Sequence, residues 1–249
     1  MVKQAVSRNK ILSFDKTYIQ HSIVDKQQHY KFYLEHDSNV TLYINDLSLQ
    51  QDVFVDTNEN LLSYNIILEE RAHCTIFIAM VSNENITIDI HCDILGSDAT
   101  FNIIGVYALA DQQTIKITTK QIHNGARTKS SVLLHGILKD HATMSYNGLI
   151  FIGESAKQTH AEQQHKNIIV SKQAQVTSIP SIEVLQHDVR CFHGSAVGKF
   201  NDEQLWYLQS RGLHVKEAYR LLVHSFFSKC VENFIEPELL LEKLCRKII

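Results

Sequence analysis

Residues 187–212 read HDVRCFHGSAVGKFNDEQLWYLQSRG, and two sequence patterns meet there. Upstream, apolar residues recur at every second position. Downstream they recur at every third or fourth. The change of period falls at Asn201. A period of 2 buries one face of a strand, and a period near 3.6 buries one stripe of a helix. The chain is therefore a β-rich body followed by a helical C-terminal part. The stretch that joins them also places Cys191 and His193 two residues apart.

The helical signals are local. Asn201 suits an N-cap, with Gln204 three residues on at capping-box spacing. Asp202 and Glu203 put negative charge in the first turn. Arg211 falls in the last turn, and Gly212 is placed to end the helix. Val215, Ala218, Tyr219, Leu222, Phe226, Cys230 and Phe234 step by three and four as a second helix. Pro237 opens a third, with Leu239, Leu240, Leu241, Leu244, Ile248 and Ile249 as its apolar content. Leu221, Val223 and Phe227 widen the second helix's apolar face beyond one stripe. That helix is either buried on more than one side or offers a patch to a partner.

Working back from residue 187, alternation recurs to about residue 31. The sets include Val40-Leu42-Ile44, Tyr64-Ile66-Leu68, Cys74-Ile76-Ile78-Met80, Ile86-Ile88-Ile90-Cys92-Ile94, Ile115-Ile117, Val132-Leu134, Met144-Tyr146, Leu149-Phe151, Ile168-Val170 and Ile182-Val184. Short polar clusters separate them, among them Gly96-Ser97-Asp98, Lys139-Asp140-His141 and Asn147-Gly148. Several breaks lead through a small residue into the next strand: Asp98-Ala99-Thr100, Gly125-Ala126-Arg127, His141-Ala142-Thr143 and Gln173-Ala174-Gln175. A recurring turn of this kind suits a solenoid. A sandwich or jelly roll gives a similar alternation, and periodicity does not separate them. Residues 1–30 carry no clear period and are read as one or two early strands.

Bulk composition excludes several classes. The 249 residues carry a formal net charge of −3, with no basic stripe, so a nucleic-acid partner is not expected. No apolar run approaches the length of a membrane span, and the first ten residues lead into no signal-peptide core. The five cysteines, Cys74, Cys92, Cys191, Cys230 and Cys245, are odd in number and form no CxxC, which points to a reducing, cytoplasmic setting. With Pro only at 180 and 237 and no Gly/Ser-rich linker, the two parts should share a boundary.

The junction resembles the C-terminal region of the SufB/SufD family, scaffold components of SUF iron–sulfur cluster assembly. The marks are Asp188-Val189, Cys191, His193-Gly194, Val197-Gly198, Asp202-Glu203-Gln204-Leu205, Tyr207-Leu208 and Ser210-Arg211-Gly212, preceded by Ile179-Pro180-Ser181-Ile182-Glu183-Val184. The match is strong over roughly residues 148 to 230, and its Cys191-x-His193-Gly194 form is closer to SufD than to SufB. The resemblance implies a right-handed parallel β-helix over residues 31–200 and a helical domain over 201–249. It implies docking of the SufC ATPase on the C-terminal helices. It also implies pairing with SufB, or with a second copy, through end strands of the β-helix. No counterpart of the family's N-terminal helical region is expected in this sequence. His165 stands where SufB-type members carry a cysteine implicated in cluster building, ahead of Asn167-Ile168-Ile169-Val170. That favours an accessory, non-catalytic, SufD-type role. The isolated chain should hold no tight cofactor, and iron or an iron–sulfur cluster would be shared transiently with SufB.

Each candidate has a plainer alternative. His193 matches the SufD histidine at the SufB–SufD boundary, and a thiolate and an imidazole on one side of a strand can bind iron or zinc. Two ligands do not close a site. The plainer reading is a packed Cys191 and a hydrogen-bonded surface histidine. His165, with His141, His160 and His187, fits no ligand spacing, and these are read as exposed strand and turn positions. Cys74, Cys92, Cys230 and Cys245 fall in apolar register and are read as core. SufC would dock on Tyr207, Arg211, Tyr219, Leu222 and Phe226 or their neighbours, unless these only pack within the chain. No GxxxxGK[ST] occurs, so any ATP hydrolysis belongs to another chain. The rival reading is a metal-dependent enzyme using the histidines on a β-rich fold.

Overall fold

The computed structural model describes residues 11–13, 16–22, 27–35, 37–46 and 60–249. The strands are β1 (Ile11–Ser13), β2 (Lys16–Ser22), β3 (Gln27–Leu34), β4 (Asn39–Asp46), β5 (Asn60–Leu68), β6 (His73–Met80), β7 (Ile86–Ile94), β8 (Thr100–Leu109), β9 (Thr114–His123), β10 (Lys129–Leu138), β11 (Thr143–Ile152), β12 (Thr159–Ile169), β13 (Gln175–Val184) and β14 (Val189–Gly198). Three helices follow: α1 (Asp202–Ser210), α2 (Val215–Val231) and α3 (Pro237–Ile248).

Odd-numbered strands form one sheet and even-numbered strands the other, each in stacking order. Every pairing is parallel, for example β8–β10 and β10–β12. Each coil thus gives one strand to each sheet, which makes a β-solenoid. Sandwiches and jelly rolls are built from antiparallel strands and do not fit. Equivalent positions in successive coils lie 29 to 31 residues apart in the middle of the stack.

The corners explain why the coils stack. Arg71, Asp98, Arg127 and Gln158 each adopt a left-handed backbone, with φ between 55° and 61°. The amide of each donates to the next coil: Arg71 to Ser97 O, Asp98 to Ala126 O, Arg127 to Lys157 O and Gln158 to Asp188 O, at 2.6–3.0 Å. The residue after each is small and buried: Ala72, Ala99, Thr128 and Thr159. The small-residue signal was therefore right at Ala99 and Ala142, but at the third corner the inward residue is Thr128, not Ala126. Outward, Asp37, Arg71, Asp98 and Arg127 alternate in sign, with Arg71–Asp37 at 2.5 Å and Arg127–Asp98 at 2.6 Å. These pairs are half exposed, so they align the corners more than they stabilise the fold.

Asn147-Gly148 is not a break. Both lie inside β11, where Tyr146, Gly148 and Ile150 face inward and Leu149 and Phe151 outward. Glycine is needed at 148 because a Cβ there would stand 2.1 Å from Gln163 Oε1 and 2.4 Å from the Tyr146 hydroxyl. Gly136 has a similar reason, since a Cβ would lie 1.8 Å from the Tyr107 ring.

Two apolar layers result. The first fills the solenoid between the sheets, from Phe32 and Tyr64 to Phe101, Leu134 and Met144. The second lies outside the even-numbered sheet: Phe77, Ala79, Val106, Ala108 and Ile137 are covered by Val223, Phe227, Cys230, Phe234, Leu240 and Leu244. The C-terminal halves of β6 and β8 are therefore buried on both faces, and alternation gives way to continuous burial there. The helices fold back along the flank of the solenoid. Among the described residues sixteen buried side chains make the seam, each contributing on the order of 1.5–3 kcal/mol if large and fully covered.

Asn201 caps α1 by accepting from Glu203 N at 2.8 Å, and Gly212 ends it at φ 96°. The full capping box occurs at α2 instead, where His214 and Glu217 satisfy each other's backbone amides. Pro237 opens α3 as expected. α2 stops at Val231, and Phe234 reaches Phe77 from the following turn, ring centroids 4.8 Å apart.

Candidate functional site at the uncovered end coil

β13 and β14 each form the last strand of their sheet, and among the described residues no further coil covers them. Their apolar side chains stay exposed, Ile179 at 58% and Phe192 at 44%, with Val184, Leu185 and Val197 beside them. Parallel register pairs Cys191 with Ala161, His193 with Gln163, and Ser195 with His165. Cys191 is half buried against Ile150, Ile152, Ala156 and Ala161. His193, on the same strand face, is exposed. Two of the candidate ligands are thus brought to one strand face at the open end.

His165 is not a surface residue. It is fully buried one coil below, which corrects the expectation of exposure; His141, His160 and His187 are exposed. The reason is the chemistry of the inner face of β12. Thr159, Ala161, Gln163, His165 and Asn167 all point inward, so the buried side of this strand is mostly polar. Tyr107 supplies the partners: its hydroxyl lies 2.6 Å from His165 Nε2 and donates to Asn167 Oδ1 at 2.5 Å. His165 Nδ1 lies 2.8 Å from Ser178 Oγ. Burial, with a smaller contribution from His135, pushes the His165 imidazole down to about 4. A neutral, fully hydrogen-bonded imidazole is held in place and has no free lone pair to give a metal.

Two further polar groups lie in the same part of the interior. The Tyr146 hydroxyl bridges Thr119 Oγ1 and Gln163 Oε1, each at 2.9 Å. His123 lies between Thr128 Oγ1 and Ser130 Oγ at 2.8 Å each, and burial pushes it down to about 4. Sequence reasoning missed Tyr107, Thr119, His123, Tyr146, Gln163 and Asn167 as inward-facing polar groups. The available signal was that β9 keeps its inward period after Ile117 while its residues turn polar, through Thr119, Gln121 and His123. Among the described residues, no three His, Cys, Asp or Glu side chains come together as a metal-binding group.

The helix candidates divide. Trp206, which sequence reasoning did not single out, is 70% exposed, and Tyr207 is 52% exposed with Arg211 stacked 5.1 Å from its ring. Tyr219 and Leu222 are half buried, Tyr219 edge-on to Phe200 at 6.0 Å. Phe226 turns toward the solenoid and stacks on His135 at 4.9 Å. Cys230 Sγ lies 3.0 Å from His135 Nδ1, which fixes α2 to β10. No described helix is long and apolar enough to cross a membrane.

Comparison with known proteins gives one family. A profile described as "SUF system FeS cluster assembly, SufBD core domain" matches residues 17–226. The chain is similar to the iron–sulfur cluster assembly protein SufD of Escherichia coli (strain K12), 28% identical over 151 residues, covering 61% of this chain and 36% of that protein. It is similar to SufD of Bacillus subtilis (strain 168), 34% identical over 122 residues, covering 49% and 28%. A third relative is the chloroplastic protein ABCI7 of Arabidopsis thaliana, 28% identical over 153 residues, covering 61% and 32%. The chain spans about a third of the length of these relatives.

Proposed function

Because this chain belongs to the SufBD core family of SUF iron–sulfur cluster assembly, with SufD proteins among its relatives, we propose that it is a SufD-like scaffold subunit. It performs no catalysis of its own. It couples the SufC ATPase to cluster assembly at an interface with SufB, and iron, sulfur or the nascent cluster is its cargo.

The observation that carries this reading is the asymmetry of the solenoid. One flank is sealed by α2 and α3, while the end coil is left with unpaired strand edges and exposed Ile179, Phe192 and Val197. An open parallel edge with apolar side chains invites strand pairing with another chain. His193 would sit at that boundary and offer an imidazole to a site completed by the partner. α1, with Trp206, Tyr207 and Arg211 exposed, suits the ATPase contact. SufC closure on ATP would pull on α1 and α2, and the α2–β10 seam would pass the motion to the sheet that ends in β14.

The test is co-expression of the tagged chain with SufB and SufC. A stable complex that loses cluster content in His193→Ala, with assembly intact, supports the reading. Equal cluster content in both removes His193 from the site. Recovery of the chain only as a homodimer replaces SufB with a second copy.

A further inference from the structure

Gln163 sits in the middle of β12 and is fully buried. Its Oε1 accepts from the Tyr146 hydroxyl at 2.9 Å, and that hydroxyl is in turn held 2.9 Å from Thr119 Oγ1. Gly148 leaves the space that the amide oxygen occupies. The oxygen end is therefore anchored toward the odd-numbered sheet. The other end is not: Nε2 is buried and has no hydrogen-bond partner among the described residues. A buried donor left without an acceptor is costly, and such groups in folded proteins call for an explanation.

The register narrows the explanation. Along the stacking direction, Gln163 is flanked by Val132 on β10 and by His193 on β14. Val132 has nothing to accept with. His193 is exposed, lies on the same face one strand away, and makes no hydrogen bond of its own among the described residues. Neighbouring strands stand roughly 4.8 Å apart, and side chains in register on one face of a parallel sheet are neighbours along the stack, so the imidazole is the side chain next to the amide on its open side.

We propose that Gln163 is a positioning residue for His193: its Nε2–H donates to a ring nitrogen of His193 and holds the imidazole over the end coil in a single tautomer. The capped nitrogen then carries the lone pair, and the other nitrogen carries the proton. A metal or cluster must displace the amide to take that lone pair. The series Thr119, Tyr146, Gln163 thus acts on His193 through hydrogen bonds that begin two coils below. The consequence for cluster chemistry rests on the reading of His193 as a ligand; the hydrogen bond itself does not.

The test is long-range proton–nitrogen NMR on the full chain with nitrogen-labelled histidine, without partner or metal, at pH 8. In the wild type, His193 should show the two well-separated ring-nitrogen shifts of one tautomer. In Gln163→Leu these should move toward the averaged values of a free imidazole, while the signals of His123 stay in place. Tyr146→Phe, which frees the amide oxygen and leaves Gln163 present, should give a partial change and serves if Gln163→Leu does not fold. A His193 already averaged in the wild type, or unchanged in either variant, overturns the proposal. The measurement needs neither SufB nor cluster, so its failure is distinct from a failure of His193→Ala to alter cluster content.

Discussion

Acid should destabilise this protein in a defined window, with two buried histidines, His123 and His165, as the groups whose contribution can be worked out. His123 and His165 are both pushed from 6.5 down to about 4, chiefly by burial. In the folded chain they stay neutral down to about pH 4. In the unfolded chain they take up protons below about pH 6.5. Between those values the unfolded state binds more protons, so stability falls as pH falls. Above pH 6.5 neither group contributes, and below about pH 4 the loss levels off. pH 5 lies about 1.5 units below the unfolded value of 6.5, so each histidine lowers stability there by about 2 kcal/mol and the two together by about 4 kcal/mol. Domains of this kind are typically stable by about 5–15 kcal/mol, so the effect is large. The assay is urea unfolding at pH 7.5 and pH 5.0, with linear extrapolation. His165→Gln lowers stability at both pH values because Tyr107, Asn167 and Ser178 lose their partner. The difference between the two pH values should nevertheless shrink by about 2 kcal/mol. An undiminished pH difference in both His165→Gln and His123→Gln would refute the assignment of the proton uptake to the interior.

Gly136→Ala should cost at least about 2 kcal/mol, because the new methyl meets the Tyr107 ring and that ring is fixed at its hydroxyl end; thermal unfolding of the variant checks it, and an unchanged Tm would mean that the ring moves freely. Phe227→Ala removes a fully buried side chain from the seam between α2 and the solenoid and should cost about 3–5 kcal/mol. Hydrogen exchange in α2 and α3 should rise more than in β7–β11, and uniform loosening would contradict a seam that opens by itself. Under native conditions a thiol reagent should modify Cys191 ahead of the other four cysteines. Cys74 is fully buried and pushed up to about 12, burial pushes Cys92 well above its ordinary value, and Cys230, on the face of α2 turned to the solenoid, is pushed up to about 11. Mass mapping that finds Cys230 first would show that α2 leaves the solenoid readily.

The strands of the solenoid were legible wherever one face is apolar and the other polar, while the choice of a solenoid over a sandwich came from the family resemblance. β7 is the clearest case: Ile86 to Ile94 alternate without exception, and the fold buries the same residues. Legibility fails in two places, for opposite reasons. In β6, β8 and β10 the outer face is apolar too, because helices cover it, so IFIAM and IIGVYAL run on without a period. That excess of apolar residues was itself the sign of a second covering layer, and nothing in the local pattern says which helix supplies it. In β12 the inner face is polar, and THAEQQHKNII gives no contrast between its sides. A one-residue slip exchanges the faces, and His165 was accordingly placed outside when it lies at the centre. What settles its register is Tyr107, 58 residues earlier in the chain, whose hydroxyl reaches both His165 and Asn167. Polar inward positions are costly unless their partners arrive from other coils. Such a face is specified by long-range pairing, and only the folded stack shows it. His193 illustrates the remaining limit: its place at the boundary came from the family resemblance, but whether anything holds it depends on the Gln163 amide nitrogen, which makes no hydrogen bond among the described residues.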